Sequence, residues 1–178
     1  MGSSTLMELI TKNPKRTFSI LLISSLGMMA VALFMEHFLQ LKPCILCYMQ
    51  RGAVILIGVI AALGLMINSK NINLYKVMIS SVLVCVFSGT ALSIRQLYLQ
   101  SLPADLVPSC APDIDYLFST LPFLEVLILA FSGDGNCAEV LWSFMGISIP
   151  GWLLIGFFFI AVYCFLILKN VNEIHSHI

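Results

Sequence analysis

The chain has 178 residues, 60% of them hydrophobic and only 10% charged, with nine basic and nine acidic side chains that cancel and a mean hydropathy of +1.00. This balance excludes a soluble globular domain, and no nucleic-acid partner is expected of it. It predicts an integral membrane protein that lives in a lipid bilayer.

Asn13-Pro14 marks the entry into a first apolar run over 17–35. That run is longer than a usual signal-peptide core and no small-residue cleavage pattern follows it, so it is expected to remain as a span. Glu36 and His37, at its end, read as polar caps at the membrane interface. A short loop over 36–47 carries Leu41-Lys42-Pro43-Cys44-Ile45-Leu46-Cys47, and further apolar runs follow over 48–67, 77–94 and 149–168. Each is long enough to cross a hydrocarbon core of about 30 Å as a helix. The runs are continuously apolar rather than alternating, which favours helices over barrel strands. The expected fold is an all-α membrane protein: one four-transmembrane-helix bundle, a single domain over 1–178.

Lys12, Lys15, Arg16, Lys70, Lys76 and Lys169 fall on one side of these spans, whereas Lys42, Arg51 and Arg95 share the other with most of the acidic residues. The positive-inside rule therefore predicts both termini in the cytoplasm. Two segments then face outward, the loop over 36–47 and a long connection over 97–148. They hold Cys44, Cys47, Cys110 and Cys137, while Cys85 and Cys164 lie within apolar spans and read as packing residues. An even number of exported cysteines points to two disulfides. Of the three pairings, Cys44 with Cys47 is the local choice, with Cys110 and Cys137 as the second bond. C-x-x-C is also a zinc half-site, but Cys110 and Cys137 are separated by 26 residues and supply no second half of the same form.

Within the long connection, 117–131 is apolar but only 15 residues long and contains Pro122 and Glu125, which suits a short helix lying in the interface, or a lid packed on the bundle. Ser132-Gly133-Asp134-Gly135-Asn136 is a dense turn signal, and Pro103, Pro108 and Pro112 surround Cys110. Both cysteines are thus expected on exposed, mobile loops, where a disulfide suits exchange. Trp142 and Trp152 read as interfacial anchors.

Pro43 halts helical geometry ahead of Cys44, so Cys47 is expected at a helix N-terminus, where unpaired N–H groups favour a thiolate. Arg51 follows Cys47 by four residues on the same helix face, and Lys42 adds a further positive charge. A snorkelling anchor is the plainer reading of Arg51, but its register with Cys47 favours a site residue. Arg95 divides evenly between anchor and site residue.

The order of parts resembles the DsbB family, the bacterial inner-membrane disulfide oxidases. Lys42-Pro43-Cys44-x-x-Cys47 precedes the second span, Arg51 stands in its first turns, and a cysteine pair occupies the second outer loop. Ser132-Gly133-Asp134-Gly135-Asn136-Cys137-Ala138-Glu139, followed by Trp142, Phe144, Gly146, Pro150 and Trp152, adds to the likeness, which covers about 17–168. The resemblance implies that a reduced DsbA-like periplasmic protein attacks Cys110 of the Cys110–Cys137 bond, and that released Cys137 attacks Cys44. Cys47 is then freed as a thiolate facing a quinone, ubiquinone or menaquinone, with Arg51 stabilising the charge. Electrons leave through the membrane quinone pool. Near the outer end of the third span, where the family suggests a histidine, Arg95 and Gln96 become the candidates for quinone contact. For the system that the resemblance implies, DsbA's potential of about −120 mV is an established value, whereas ordinary structural disulfides lie below about −300 mV. An ordinary bond would therefore lose the exchange by roughly 8 kcal/mol, so the bonds must be unusually oxidising or the quinone must pull. Two other classes remain: a relative of vitamin K epoxide reductase, which carries its C-x-x-C at a later span, and a membrane metal-binding or assembly protein that uses the outer cysteines as ligands.

Overall fold

The computed structural model describes residues 13–67, 71–103, 105–107, 120, 122, 124–125, 128 and 135–176. The first apolar run becomes α1, Pro14–His37. Asn13 caps it, its side chain accepting from the Lys15 N–H at 3.2 Å, and Pro14 takes a first-turn position where a missing N–H costs nothing. The helices α2, Ile45–Ile67, and α3, Ile72–Gln100, follow, the latter capped by Asn71 accepting from the Asn73 N–H at 3.0 Å. A single turn, α4, Gly135–Ala138, leads to a hairpin of β1, Ser143–Phe144, and β2, Ile147–Ser148, which runs directly into α5, Ile149–Ser176.

Four of these helices are long and apolar enough to cross a membrane, and the protein is a multi-pass membrane protein. The first three begin three to five residues before the apolar runs that announce them, and α3 continues past 94 to Gln100. Hydropathy marks the hydrocarbon core, whereas caps and backbone hydrogen bonds carry a helix on through polar turns. Arg95 and Gln96 thus sit inside α3 rather than at its end. Of the expected interfacial helix, Thr120, Leu124, Glu125 and Ile128 have helical backbone and are exposed; the rest of 117–131 lies outside the described residues.

In the hairpin, Met145 (φ 53°) and Gly146 (φ 79°) are both left-handed, as a tight two-residue turn requires. Trp142 stacks on Phe144 at 6.1 Å, and the Trp152 indole donates to the Phe144 carbonyl at 3.3 Å. Both tryptophans are therefore bound into the hairpin.

The long helices pack in the order α1 on α2, α2 on α3 and α3 on α5, while α1 and α5 touch only sparsely. The sparse side leaves a groove. Elsewhere contact is close because small residues stand at the crossings. A Cβ on Gly58 would lie 2.6 Å from the Ser25 hydroxyl, which already donates to the Val54 carbonyl at 2.8 Å. Gly89 faces the ring of Phe157, a fully buried residue in the core with Ile57, Ile79, Val82 and Cys164. Gly89→Ala is expected to destabilise the detergent-solubilised protein by about 1–3 kcal/mol, read as a lower thermal midpoint. Gly52→Ala, with nothing within 4 Å of the added carbon, serves as the control that holds its midpoint.

Candidate active site

Cys44 is the last residue before α2, and the Tyr48 N–H donates to its carbonyl at 3.2 Å. Cys47 is consequently third in the helix, within the turn whose N–H groups lack intrahelical partners and carry partial positive charge. The Cys44 thiol donates to the Cys47 sulfur at 3.1 Å. Onto this pair the chain brings α4, which packs against both α2 and α3 and delivers Cys137.

Cys137 is fully buried, clustered with Cys44, Leu46, Leu92 and Leu99. An exposed loop position was expected from its turn-rich approach. The single helical turn of α4 instead carries the sulfur inward against Leu46 of α2 and Leu92 and Leu99 of α3. Hydrogen bonding to Cys137 first, then to Cys47, together with burial, pushes the Cys44 thiol well above the ordinary thiol range. Cys44 is therefore the sulfur that holds its proton. It touches both of the other sulfurs and can exchange with either, whereas Cys47 also lines the groove.

Between α1, α2 and the start of α5 the groove widens into a cavity of about 590 Å³. Its walls are apolar, with Met28, Met35, Leu141, Trp142, Trp152 and Leu153 among them; its polar end holds Cys47, Gln50, Arg51, Glu36 and Lys42. Cys47 and Arg51 line the same space, as their four-residue spacing predicts. Arg51 is not an outstretched interfacial anchor. Its guanidinium forms an ion pair with Glu36 of α1, donates to the Ala32 carbonyl at 3.3 Å, and lies 5.5 Å from the centre of the Tyr48 ring. With side chains only 17% and 26% exposed, Arg51 and Glu36 are screened less than a surface pair.

Glu36 is thus a site residue that reading the chain left as a polar cap. The legible signal was its position, since it and Arg51 flank one short loop with opposite charge. Gln50 and Gln96 were legible through helix register. Gln96 continues the buried face of α3 through Val82, Val86, Gly89 and Ser93, whereas Arg95 is one residue off it. Gln96 accordingly reaches the sulfurs, its amide nitrogen 3.4 Å from Cys44 Sγ and 3.3 Å from Cys47 Sγ. Gln50, three residues after Cys47, donates to Gln96 Oε1 at 3.0 Å. Arg95 lies over the Tyr98 ring, 5.4 Å from its centre, and does not line the cavity. Cys110 lies outside the described residues. Cys164 is buried in the core and Cys85 packs against it, apart from this site.

The sequence match covers the same parts. A family model described as Disulfide bond formation protein DsbB matches residues 14–167, from the first turn of α1 into the last turns of α5. Proteins named Disulfide bond formation protein B are similar along most of their length. The one from Hahella chejuensis is 44% identical over 140 residues, 78% of this chain and 84% of its own. Those from Marinobacter nauticus and Stutzerimonas stutzeri are 40% and 39% identical over 147 and 152 residues, covering 82% and 85% of this chain and 86% and 93% of theirs. A four-span bundle with a C-x-x-C at the start of its second helix, a third cysteine folded onto that pair, and a match from α1 to α5 place this chain in the DsbB family of disulfide bond formation proteins.

Proposed function

We propose that the protein is a membrane disulfide oxidase that reoxidises a DsbA-like periplasmic dithiol protein and passes the electrons to a membrane quinone. The observation that carries this reading is the order of sulfurs: Cys137 beside Cys44, Cys44 beside Cys47, and Cys47 opening on an apolar cavity with a cation at its polar end. That order has a direction. The basic residues at the other end of the bundle, Lys15, Arg16, Lys76 and Lys169 among them, support an inner-membrane orientation with the cysteines on the periplasmic side.

The cycle starts with Cys110 bonded to Cys137 and Cys44 bonded to Cys47. A thiolate of the partner attacks Cys110 Sγ, forming a mixed disulfide and releasing Cys137 as thiolate. Cys137 then attacks Cys44 Sγ, which breaks the Cys44–Cys47 bond and leaves the electron pair on Cys47. The partner's second thiol resolves the mixed disulfide, and the freed Cys110 attacks Cys137 to restore their bond. Cys44 and Cys47 remain as a dithiol carrying two electrons and two protons. Cys47, in the first turn of α2 and near Arg51, is the sulfur whose negative charge is best supported.

The cavity fits a flat, largely apolar ring with carbonyl edges. Aromatic and methionine side chains offer contact area, and Arg51, Gln50 and Lys42 offer donors at the end where Cys47 stands. A bound quinone supplies the two-electron acceptor that ordinary disulfide exchange lacks. Arg51 and Lys42 hold positive charge where negative charge develops, Glu36 fixes the direction of Arg51, and the apolar walls exclude water.

The test is turnover of the purified protein with reduced DsbA-like protein and a soluble quinone. One quinone is expected to be consumed per partner disulfide formed. Disulfide formation that proceeds equally well without quinone would overturn the reading. Stoichiometric zinc with reduced outer cysteines would favour the ligand-binding alternative.

A further inference from the structure

Gln50 and Gln96 are 2% and 4% exposed, deeper than any polar group that merely faces a headgroup region. A buried amide left without partners costs about 1–3 kcal/mol, so two of them at one spot imply that each satisfies something. Here the partners are specific. Gln50 donates its NH₂ to Gln96 Oε1 at 3.0 Å, which fixes that oxygen as an acceptor, and the Cys47 thiol meets the same oxygen at a longer 3.7 Å. The other end of the same planar group, the Gln96 NH₂, lies closer to the sulfurs and donates to Cys44 and Cys47, 3.4 and 3.3 Å away. Sulfur accepts weakly as a thiol and far better as a thiolate, so this contact gains strength when the pair is reduced and charged.

We propose that Gln96 is the hydrogen-bond donor that stabilises the reduced, thiolate-bearing form of the Cys44–Cys47 pair, and that Gln50 is a positioning residue that holds the Gln96 amide in its donating orientation. The proposal rests on the reading that Cys44 and Cys47 cycle between dithiol and disulfide. It requires neither quinone nor partner protein. Selective stabilisation of the reduced form is what makes a disulfide oxidising, so the amide couple raises the potential of this pair. A neutral donor does so without placing another charge beside the sulfurs. The charged and titratable groups around Cys47 are Cys44 and Cys137, Arg51 with its partner Glu36, Lys42 along the cavity, and Glu139 on the α4 side.

The test uses the full-length protein in detergent with Cys110 and Cys137 replaced by Ser, so that Cys44–Cys47 equilibrates alone with glutathione. One glutathione disulfide oxidises the dithiol and yields two glutathione thiols, and the fraction oxidised is read by mass after alkylation. Gln96→Met, which keeps the side-chain length and removes the donor, is expected to shift the equilibrium constant about tenfold toward a more reducing pair, which is about 30 mV. Gln50→Met is expected to shift it in the same direction by a smaller factor, and the double variant no further than Gln96→Met alone. Gln96→His, which retains a ring N–H, is expected to recover most of the shift and guards against a folding artefact. The alkylation profile of Cys47 against pH should move upward in Gln96→Met. An equilibrium unchanged within twofold in Gln96→Met overturns the donor role, and additive shifts in the double variant overturn the positioning role of Gln50. Expected shifts in a protein that never consumes quinone would leave this inference standing and remove the proposed electron acceptor.

Discussion

Cys44→Ser is expected to end steady turnover, with a loss of about a thousandfold or more, while leaving one round of chemistry intact. Replacing a covalent participant removes the step itself rather than weakening it. The location of Cys44 between Cys137 and Cys47 makes the residual behaviour specific. Under the proposed cycle the Cys110–Cys137 bond still accepts electrons from one partner molecule, after which Cys137 has no sulfur to attack. A burst of one partner disulfide per protein, without quinone consumption, is the expected trace by acid quench and non-reducing electrophoresis. Serine is nearly isosteric with cysteine, and the site is a small apolar cluster with Leu46, Leu92 and Leu99, so folding should survive. Continued turnover in this variant would remove Cys44 from the relay and with it the order of sulfurs on which the function rests.

Arg51→Met is expected to lower turnover about ten- to a hundredfold, the range that follows from losing one charge-assisted contact of about 1.5–3 kcal/mol at a developing negative charge. The methionine preserves side-chain length and apolar volume, so the cavity keeps its shape. Glu36, its side chain 26% exposed, retains access to solvent when its partner is lost, and the thermal midpoint should therefore fall little. Arg51→Lys separates charge from geometry. An ammonium can meet Glu36 but cannot also reach the Ala32 carbonyl as the guanidinium fork does, so an intermediate rate is expected. Glu36→Gln keeps the cation and loosens its aim. Its expected signature is a smaller rate loss than Arg51→Met, accompanied by faster alkylation of Cys47 at neutral pH, because the positive charge beside it is no longer offset. Rates for Arg51→Met equal to the unsubstituted protein would show that the cation is only an anchor.

Much of this site was legible along the chain, and the reason is its locality. Cys44, Cys47 and Arg51 fall within eight residues. A proline stop, a helix start and a four-residue spacing are short-range rules that one helix end obeys regardless of its surroundings. Gln96 was named together with Arg95, and the buried register of α3 separates them, one reaching the sulfurs and the other the Tyr98 ring. Glu36 was read as a cap because nothing within its own helix reveals that its carboxylate crosses to α2. Cys137 was expected at the surface because turn residues describe the path of a loop and not the depth at which it ends.

By itself, then, the amino-acid sequence determined that the chain crosses a membrane four times, and that a C-x-x-C stands where the second helix begins with a cation one turn below it. Hydropathy and helical period are properties of contiguous residues, so they are written in the chain before it folds. Only the tertiary structure decided which polar groups meet. The Arg51–Glu36 pair, the Gln50–Gln96 couple on the sulfurs and the burial of Cys137 against Cys44 each join separate helices. The large cavity exists because α1 and α5 part company on one side of the bundle. These are consequences of helix order and crossing, set in part by where small residues such as Gly58 and Gly89 let backbones close in.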